Sequence, residues 1–223
     1  MNVDRNKKIL SDLETGYDLI ADKFSSTRAF MWRDLEFIKD YVKPGDRILD
    51  FGCGNGRLAG FFKGRYSEYI GVDISQRLID IASQTYHSEK TKFIKIKAKK
   101  IPFKDNSFDA IFSIAVFHHF PSKEYSLQIA RELYRVMKPG GKIVISAWNL
   151  WQKQYLEYHA KSREGWLDAS IPFKSSDKTF NRYHHPFKIG ELEDICIKAG
   201  FKTIKKKRGR NLVFIGSKSG VDK

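Results

Sequence analysis

Cysteine is scarce in this 223-residue chain. Cys53 and Cys196 stand far apart, and neither forms a Cys-x-x-Cys pair or another metal-ligand spacing. The expectation is a reduced, cytoplasmic protein. Long apolar runs are also missing. No stretch reaches the roughly 18 residues that a membrane-spanning helix needs, so no segment is expected to span a membrane. The opening "MNVDRNKKILSDLE" has no apolar core of a secretion signal. Internal repeats and low-complexity tracts are absent. Acidic residues are outnumbered, with 26 Asp plus Glu against 41 Lys plus Arg and a formal charge of +15. Such an excess marks either a surface tuned for solubility or a partner that is anionic, nucleic acid or an acidic membrane surface.

What is present is a hydrophobic fraction of 41%, enough for a sizeable core. Residues 8–24 place Ile9, Leu10, Leu13, Tyr17, Ile20, Ala21 and Phe24 at helical spacing, and "STRAFMWRDLEFIKDYV" continues with a second helical pattern. Short strand patterns follow at 47–51, 69–75, 92–98, 108–116 and 142–148, with helical patterns between several of them. Alternation of this kind implies a doubly wound, parallel sheet with helices on both faces. A helix over 188–200 and a two-stranded hairpin turning at Gly209 close the chain. The expected architecture is α/β and Rossmann-like: a seven-stranded, mostly parallel sheet ending in an antiparallel hairpin. One domain spans 1–223, with an N-terminal helical cap over 1–45 and an elaboration over 149–187, whose pattern is unreadable.

The stretch "LDFGCGNG" supplies Asp50, Gly52, Gly54 and Gly56 after the first strand. Glycines there let the backbone turn sharply and approach a ligand. Asp73 ends the next strand 17 residues beyond Gly56, close to the roughly 20 expected of a ribose-binding carboxylate. A dinucleotide would want Gly-x-Gly-x-x-Gly and a helix N-terminus free for pyrophosphate. Here Asp50 stands just before the loop, where a carboxylate repels pyrophosphate. It suits instead the cationic amino-acid end of S-adenosylmethionine.

With these residues the chain resembles the class I S-adenosylmethionine-dependent methyltransferases. "ILDFGCGNG" is similar to their first motif and "GVDIS" to their acidic second one. "IPFKDNSFD" and "RVMKPGG" resemble the segments before their fourth and fifth strands. The resemblance covers roughly 17–148 and 183–218. It implies S-adenosylmethionine as cofactor, held by Tyr17, Asp50, Gly52, Gly54, Gly56, Asp73, Ile74, Ala98, Lys99 and Ala115. In place of the acid-Ala pair common in relatives this chain has Lys97-Ala98. The lysine-rich third strand suits either a sheet edge, where lysines discourage edge-to-edge pairing, or nucleic-acid contact.

Three further stretches are similar to the tRNA wobble-uridine carboxymethyl methyltransferases. They are "YDLIADKFSSTRAFMW", "SIAVFHHF" and "FNRYHHPFKIGELEDICIKAGF". Departures are Arg33 where that family commonly has Pro, Trp151 for a Glu, and Gly209-Arg210-Asn211-Leu212 for a final Gly-Asn-Trp. The resemblance implies methylation of the carboxylate of 5-carboxymethyluridine at the anticodon wobble position. It implies tRNA as partner, a small zinc-binding activator protein as a further partner, and otherwise a monomer. Arg28, His118 and His119 are the implied catalytic residues, and Trp32, Trp148, Tyr183 and His185 the implied substrate-binding ones. The basic runs 97–100 and 205–210 would follow phosphates, and Phe30, Trp148, Trp151, Tyr183 and Phe187 would stack a splayed base. The alternative is a methyltransferase for a small molecule or quinone.

His118 and His119 fall at the carboxyl edge of the sheet, where open α/β folds bind ligands. A metal would need further ligands, with His184 and His185 as candidates, but no metal is expected. A proton shuttle would suit an amine or hydroxyl acceptor better than a carboxylate, which is ionised already. One histidine is expected to donate a hydrogen bond into the pocket and the other to brace.

Overall fold

The computed structural model describes residues 3–97, 100–159, 167–175 and 178–220. Ala98 and Lys99 lie outside the described residues. In chain order the elements are α1 (Val3–Ser26), β1 (Asp46–Phe51), α2 (Arg57–Phe61), β2 (Tyr66–Asp73), α3 (Gln76–Thr85), β3 (Thr91–Lys95), β4 (Phe108–Ile114), α4 (Lys123–Val136), β5 (Met137–Trp148), β6 (Ala169–Ser175), β7 (Lys178–His184), α5 (Ile189–Lys198), β8 (Lys202–Arg208) and β9 (Asn211–Ser217).

Seven strands form one sheet in the order β3-β2-β1-β4-β5-β9-β8. The first five run parallel and β9 joins antiparallel to both β5 and β8. This is the expected architecture. Both sheet faces are covered, which is why β4 reads as an almost continuous apolar run. Leu133, Leu192 and Ile195 of α4 and α5 pack one face; Leu35, Ile38, Leu58 and Phe62 pack the other. The third strand is an edge, as expected. It pairs only with β2, and its Lys92 and Lys95 bind Glu68 and Glu14 at 3.1 and 2.7 Å.

Two local expectations change. The pattern after Ser26 does not make a second α-helix. Residues 27–32 run without helix and Arg33–Tyr41 form a 3₁₀ turn. Its apolar residues Leu35, Ile38 and Tyr41 recur every three residues, the 3₁₀ period, rather than every 3.6. The unreadable segment holds another 3₁₀ turn, Lys153–Tyr158, and the hairpin β6–β7, a two-stranded sheet separate from the main one.

The strand order reverses between β1 and β4, so a crevice opens above the carboxyl ends of β1, β2, β4 and β5. α1 lies along this crevice. Asp18 accepts from Ser75 Oγ at 2.6 Å and from the backbone N–H of Arg77 at 3.1 Å, tying α1 to the start of α3. β7 contacts α1 and the His118 turn. An open cavity occupies the crevice.

Candidate active site

One end of the cavity is the glycine loop. Gly52, Gly54 and Gly56 all have positive φ. A Cβ on Gly52 would lie 2.3 Å from Val116 Cγ2, so that position is closed to side chains by packing as well as by φ. A Cβ on Gly54 would meet only Phe24, at 3.5 Å. There the glycine keeps the backbone conformation and leaves open space beside the cavity. The Gly54 N–H donates to Asp73 Oδ2 at 2.8 Å, and the Ser75 N–H donates to Oδ1 at 2.9 Å. The Ile74 N–H adds a third backbone donor, and the carboxylate keeps acceptor capacity to spare for a diol. Burial raises the Asp73 pKa, opposed by those N–H donors.

Asp50 is fully buried and lines the same end. Tyr69 donates its hydroxyl hydrogen to Asp50 Oδ2. Burial pushes the Asp50 carboxyl up to about 7, against the Tyr69 hydrogen bond and the Arg57 charge. Ala115, at the tip of β4, has φ +61 and donates its N–H to Ser146 O and Oγ at 3.0 and 3.1 Å. A left-handed alanine at this edge costs about 1 kcal/mol of strain and holds the wall of the cavity in place. Ile74 also lines the cavity.

Residues 27–32 are fastened to the glycine loop. Asn55 Nδ2 donates to Arg28 O, and Arg57 Nη1 donates to Phe30 O, each at 3.2 Å. The Arg57 guanidinium lies 4.4 Å from the Trp32 ring centroid. Arg28 and Trp32 therefore reach the cavity wall. Arg28 Nη1 donates to Thr27 Oγ1, and its guanidinium lies 4.5 Å from the Phe24 ring. Its pKa is lowered by burial and by the neighbouring Arg182.

The other end is built by imidazoles. His119 Nδ1 faces the carbonyl of Tyr183 at 2.8 Å, so it carries the proton and donates. His119 Nε2 then accepts from the Tyr17 hydroxyl at 2.8 Å. Both nitrogens are engaged, which makes His119 the brace. His118 Nδ1 accepts from the Trp148 N–H at 3.2 Å, so its Nε2 carries the proton. No bond to that Nε2 exists among the described residues, and His118 lines the cavity. His118 therefore has an N–H free to donate into the cavity. Burial lowers the pKa of His118 well below the ordinary value and that of His119 to about 3, so both rings stay neutral.

His184 completes a triad with them, one ligand nitrogen from each lying within 4.8 Å of the others. His184 is one of the two further ligands the sequence offers for a metal, yet the triad fits a cation poorly. His119 has no free lone pair, His118 Nδ1 is taken, and His184 Nδ1 donates to Arg182 O at 2.9 Å. Arg182 adds a positive charge close by and lowers the pKa of all three rings.

Two sequence-predicted substrate residues are not on the cavity wall. The Tyr183 hydroxyl donates to Asp168 Oδ1 at 2.8 Å and its carbonyl holds His119. His185 is buried against Leu167 O, Glu191 and, through its N–H, His118 O. They brace the histidine turn from behind. Phe187 is fully buried in the core, so it cannot stack a base. Trp148 does line the cavity, stacked at 25° on His184. Sequence reasoning missed Arg182, a buried arginine on the cavity wall.

A methyltransferase-domain family model matches residues 49–145, the stretch that carries the glycine loop, Asp73 and the histidine turn. The tRNA (carboxymethyluridine(34)-5-O)-methyltransferase of Schizosaccharomyces pombe is 31% identical over 204 residues, covering 82% of this chain and 86% of that one. The chain belongs to the tRNA carboxymethyluridine methyltransferase family. The enzyme of the same name from Arabidopsis thaliana is 33% identical over 79% of this chain. The chain spans only 44% of that relative's length. In fold, the chain solved in complex with the Trm112 methyltransferase activator of Haloferax volcanii superposes with a TM-score of 0.69 at 15% identity. That match covers 91% of this chain and 97% of the other.

The cofactor of this methyltransferase family, S-adenosylmethionine, fits the residues present. Asp73 has lone pairs for a ribose diol, Gly54 leaves open space, and Asp50 offers a buried carboxylate to an ammonium group. A pH dependence follows. The Asp50 carboxyl takes up a proton as pH falls through about 7, and a neutral carboxyl no longer attracts an ammonium. Cofactor affinity, measured by calorimetry, should fall as pH drops from 8 to 6, by up to roughly tenfold below the midpoint. Asp50→Asn should bind more weakly at pH 8 and lose that slope.

Proposed function

We propose that this chain methylates the carboxylate of 5-carboxymethyluridine at the wobble position of tRNA, giving the methyl ester. The observation that carries the reading is one cavity joining two chemistries. The Asp50–Asp73 end suits the cofactor, and the other end offers neutral imidazoles and guanidinium groups to an anion. S-adenosylmethionine, when bound, supplies an electrophilic methyl group. A carboxylate is ionised at neutral pH and has no proton to lose, so no general base is required. The neutral imidazoles agree with this: they hold and orient rather than shuttle protons.

His118 Nε2–H donates to the acceptor group, while Arg28 helps orient the carboxylate from the glycine-loop side. Trp32 and Trp148 flank the base. Arg28→Ala should lower turnover roughly tenfold to a hundredfold, with the dissociation constant for the cofactor nearly unchanged. A large loss of cofactor affinity would instead place Arg28 on the cofactor.

The RNA follows the basic surface. β8 is the exposed far edge of the sheet, with Lys205, Lys207 and Arg208 solvent-facing. Phe30, 86% exposed between the cavity residues Arg28 and Trp32, would stack a base. An activator protein like that of the Haloferax neighbour would dock along the edge strand β3. The setting is the cytoplasm, in keeping with two buried free cysteines. No helix among the described residues is long and apolar enough to cross a membrane. The test is incubation with labelled S-adenosylmethionine and tRNA bearing 5-carboxymethyluridine, with activator protein supplied. Alkali-labile label in the wobble nucleoside is expected; its absence would contradict the proposal.

A further inference from the structure

β7 alternates its residues between two environments. Asn181 is exposed and Tyr183 half-buried, whereas Arg182 and His184 are buried and face the cavity side with Phe180. The period of two places a cation and an imidazole on one inward face. Arg182 is 4% exposed. Its guanidinium lies 5.2 Å from the ring centroids of both Trp148 and Phe173, held between two aromatic faces. The Tyr17 hydroxyl lies close enough for the Arg182 charge and hydrogen bonding to lower its pKa, against the larger upward push of burial. No acidic side chain forms an ion pair with Arg182 among the described residues, and its Nε has no hydrogen-bond partner there. A permanent charge taken out of water without a counter-ion is costly, so such a group implies an anion in the working complex.

The two other cavity arginines answer differently. Arg57 belongs to the glycine-loop end, its guanidinium fastened to Phe30 O. Arg28 is tied there through its carbonyl, while its guanidinium has the Thr27 hydroxyl as hydrogen-bond partner and faces Phe24 and the Phe173 ring that Arg182 also faces. Arg182 belongs to the histidine end, where its carbonyl holds His184. His184 Nε2 is the other buried, unpartnered polar atom at that end.

We propose that Arg182 reads the carboxylate of the wobble nucleoside and is the residue that selects it over neutral analogues at the same carbon. The inference rests on the function proposed above. A guanidinium donates charge-assisted hydrogen bonds to a carboxylate oxygen. Gripping one oxygen leaves the other for the methyl group. Methylation then removes the negative charge, so the ester product loses the partner that held the substrate. Arg182 therefore both admits the acid and loosens its hold on the ester.

The test compares two anticodon stem-loops, one with 5-carboxymethyluridine and one with its neutral amide, 5-carbamoylmethyluridine. Binding is measured with the cofactor's demethylated product bound. Wild type should prefer the acid roughly tenfold to a hundredfold. Arg182→Gln should bring the ratio close to one, and Arg182→Lys should restore part of it. Cofactor binding by each variant reports that it folds. A merely structural role for Arg182 would weaken both RNAs alike and leave the ratio standing, which overturns the proposal. A ratio that survives Arg182→Gln but collapses in Arg28→Gln assigns the carboxylate to Arg28 and also overturns it. Wild type that makes no methyl ester in the labelling assay overturns the functional reading and this inference together. Ester formation with an unchanged ratio in Arg182→Gln overturns this inference alone.

Discussion

Asp73→Ala is expected to weaken cofactor binding roughly a hundredfold to a thousandfold, the largest effect of any single change at the glycine-loop end. A carboxylate accepting two hydrogen bonds from a diol contributes about 1.5–3 kcal/mol through each. The same side chain also shapes its own loop. Its oxygens accept from the Gly54 and Ser75 backbone N–H groups, so alanine leaves both donors unpaired beside the cavity. Asp73→Asn separates the two roles. The amide keeps one acceptor oxygen for one of these N–H groups but loses the charge and half of the acceptor capacity. It should lose less thermal stability than Asp73→Ala and still bind the cofactor at least tenfold more weakly. Calorimetry read beside thermal unfolding distinguishes lost contacts from a collapsed loop. Wild-type affinity in Asp73→Ala would remove the cofactor from this end of the cavity.

The second large effect is expected at His118. Its Nδ1 accepts from the Trp148 N–H, which leaves a proton on Nε2 with no protein partner among the described residues. Asparagine can keep the acceptor near Nδ1 and cannot reach as Nε2 does. His118→Asn should therefore hold the β5 end in place and lower turnover about a hundredfold, the size of effect seen on removing one preorganised donor. Cofactor affinity should stay close to wild type. His119 behaves differently, because both its nitrogens are bound within the protein. Its replacement should reduce thermal stability along with turnover. Both rings are held neutral by burial. With the cofactor saturating, turnover should be flat between pH 6 and 8, where an ordinary histidine near 6.5 would show an inflection. A His-type inflection in turnover would mean that one ring carries a proton through the reaction.

Much of the framework was legible in the sequence because packing enforces it. Strands buried on both faces give apolar runs, glycines at Gly52 and Gly54 mark a turn that side chains cannot make, and Asp73 ends a strand at a fixed distance from them. The hairpin β6–β7 was not legible. Its inward face carries Phe180, Arg182 and His184, so the alternation is real but polar at two positions and gives no hydrophobic period. For the same reason Arg182 escaped notice, since a lone arginine reads as surface. Tyr183 and His185 were expected on the substrate, but one turns outward from the strand and the other lies behind the histidine turn. The division of labour between His118 and His119 rests on tautomers. These are fixed by a backbone N–H at Trp148 and a carbonyl at Tyr183, partners that sequence spacing does not reveal.

The central claim is that the acceptor is a carboxylate on the wobble uridine of tRNA. Mass spectrometry of tRNA nucleosides from cells with and without the gene tests it most directly. The account predicts that deletion removes the methyl ester of 5-carboxymethyluridine while the free acid, or products derived from it, accumulates. Unchanged ester in the deletion strain would contradict it.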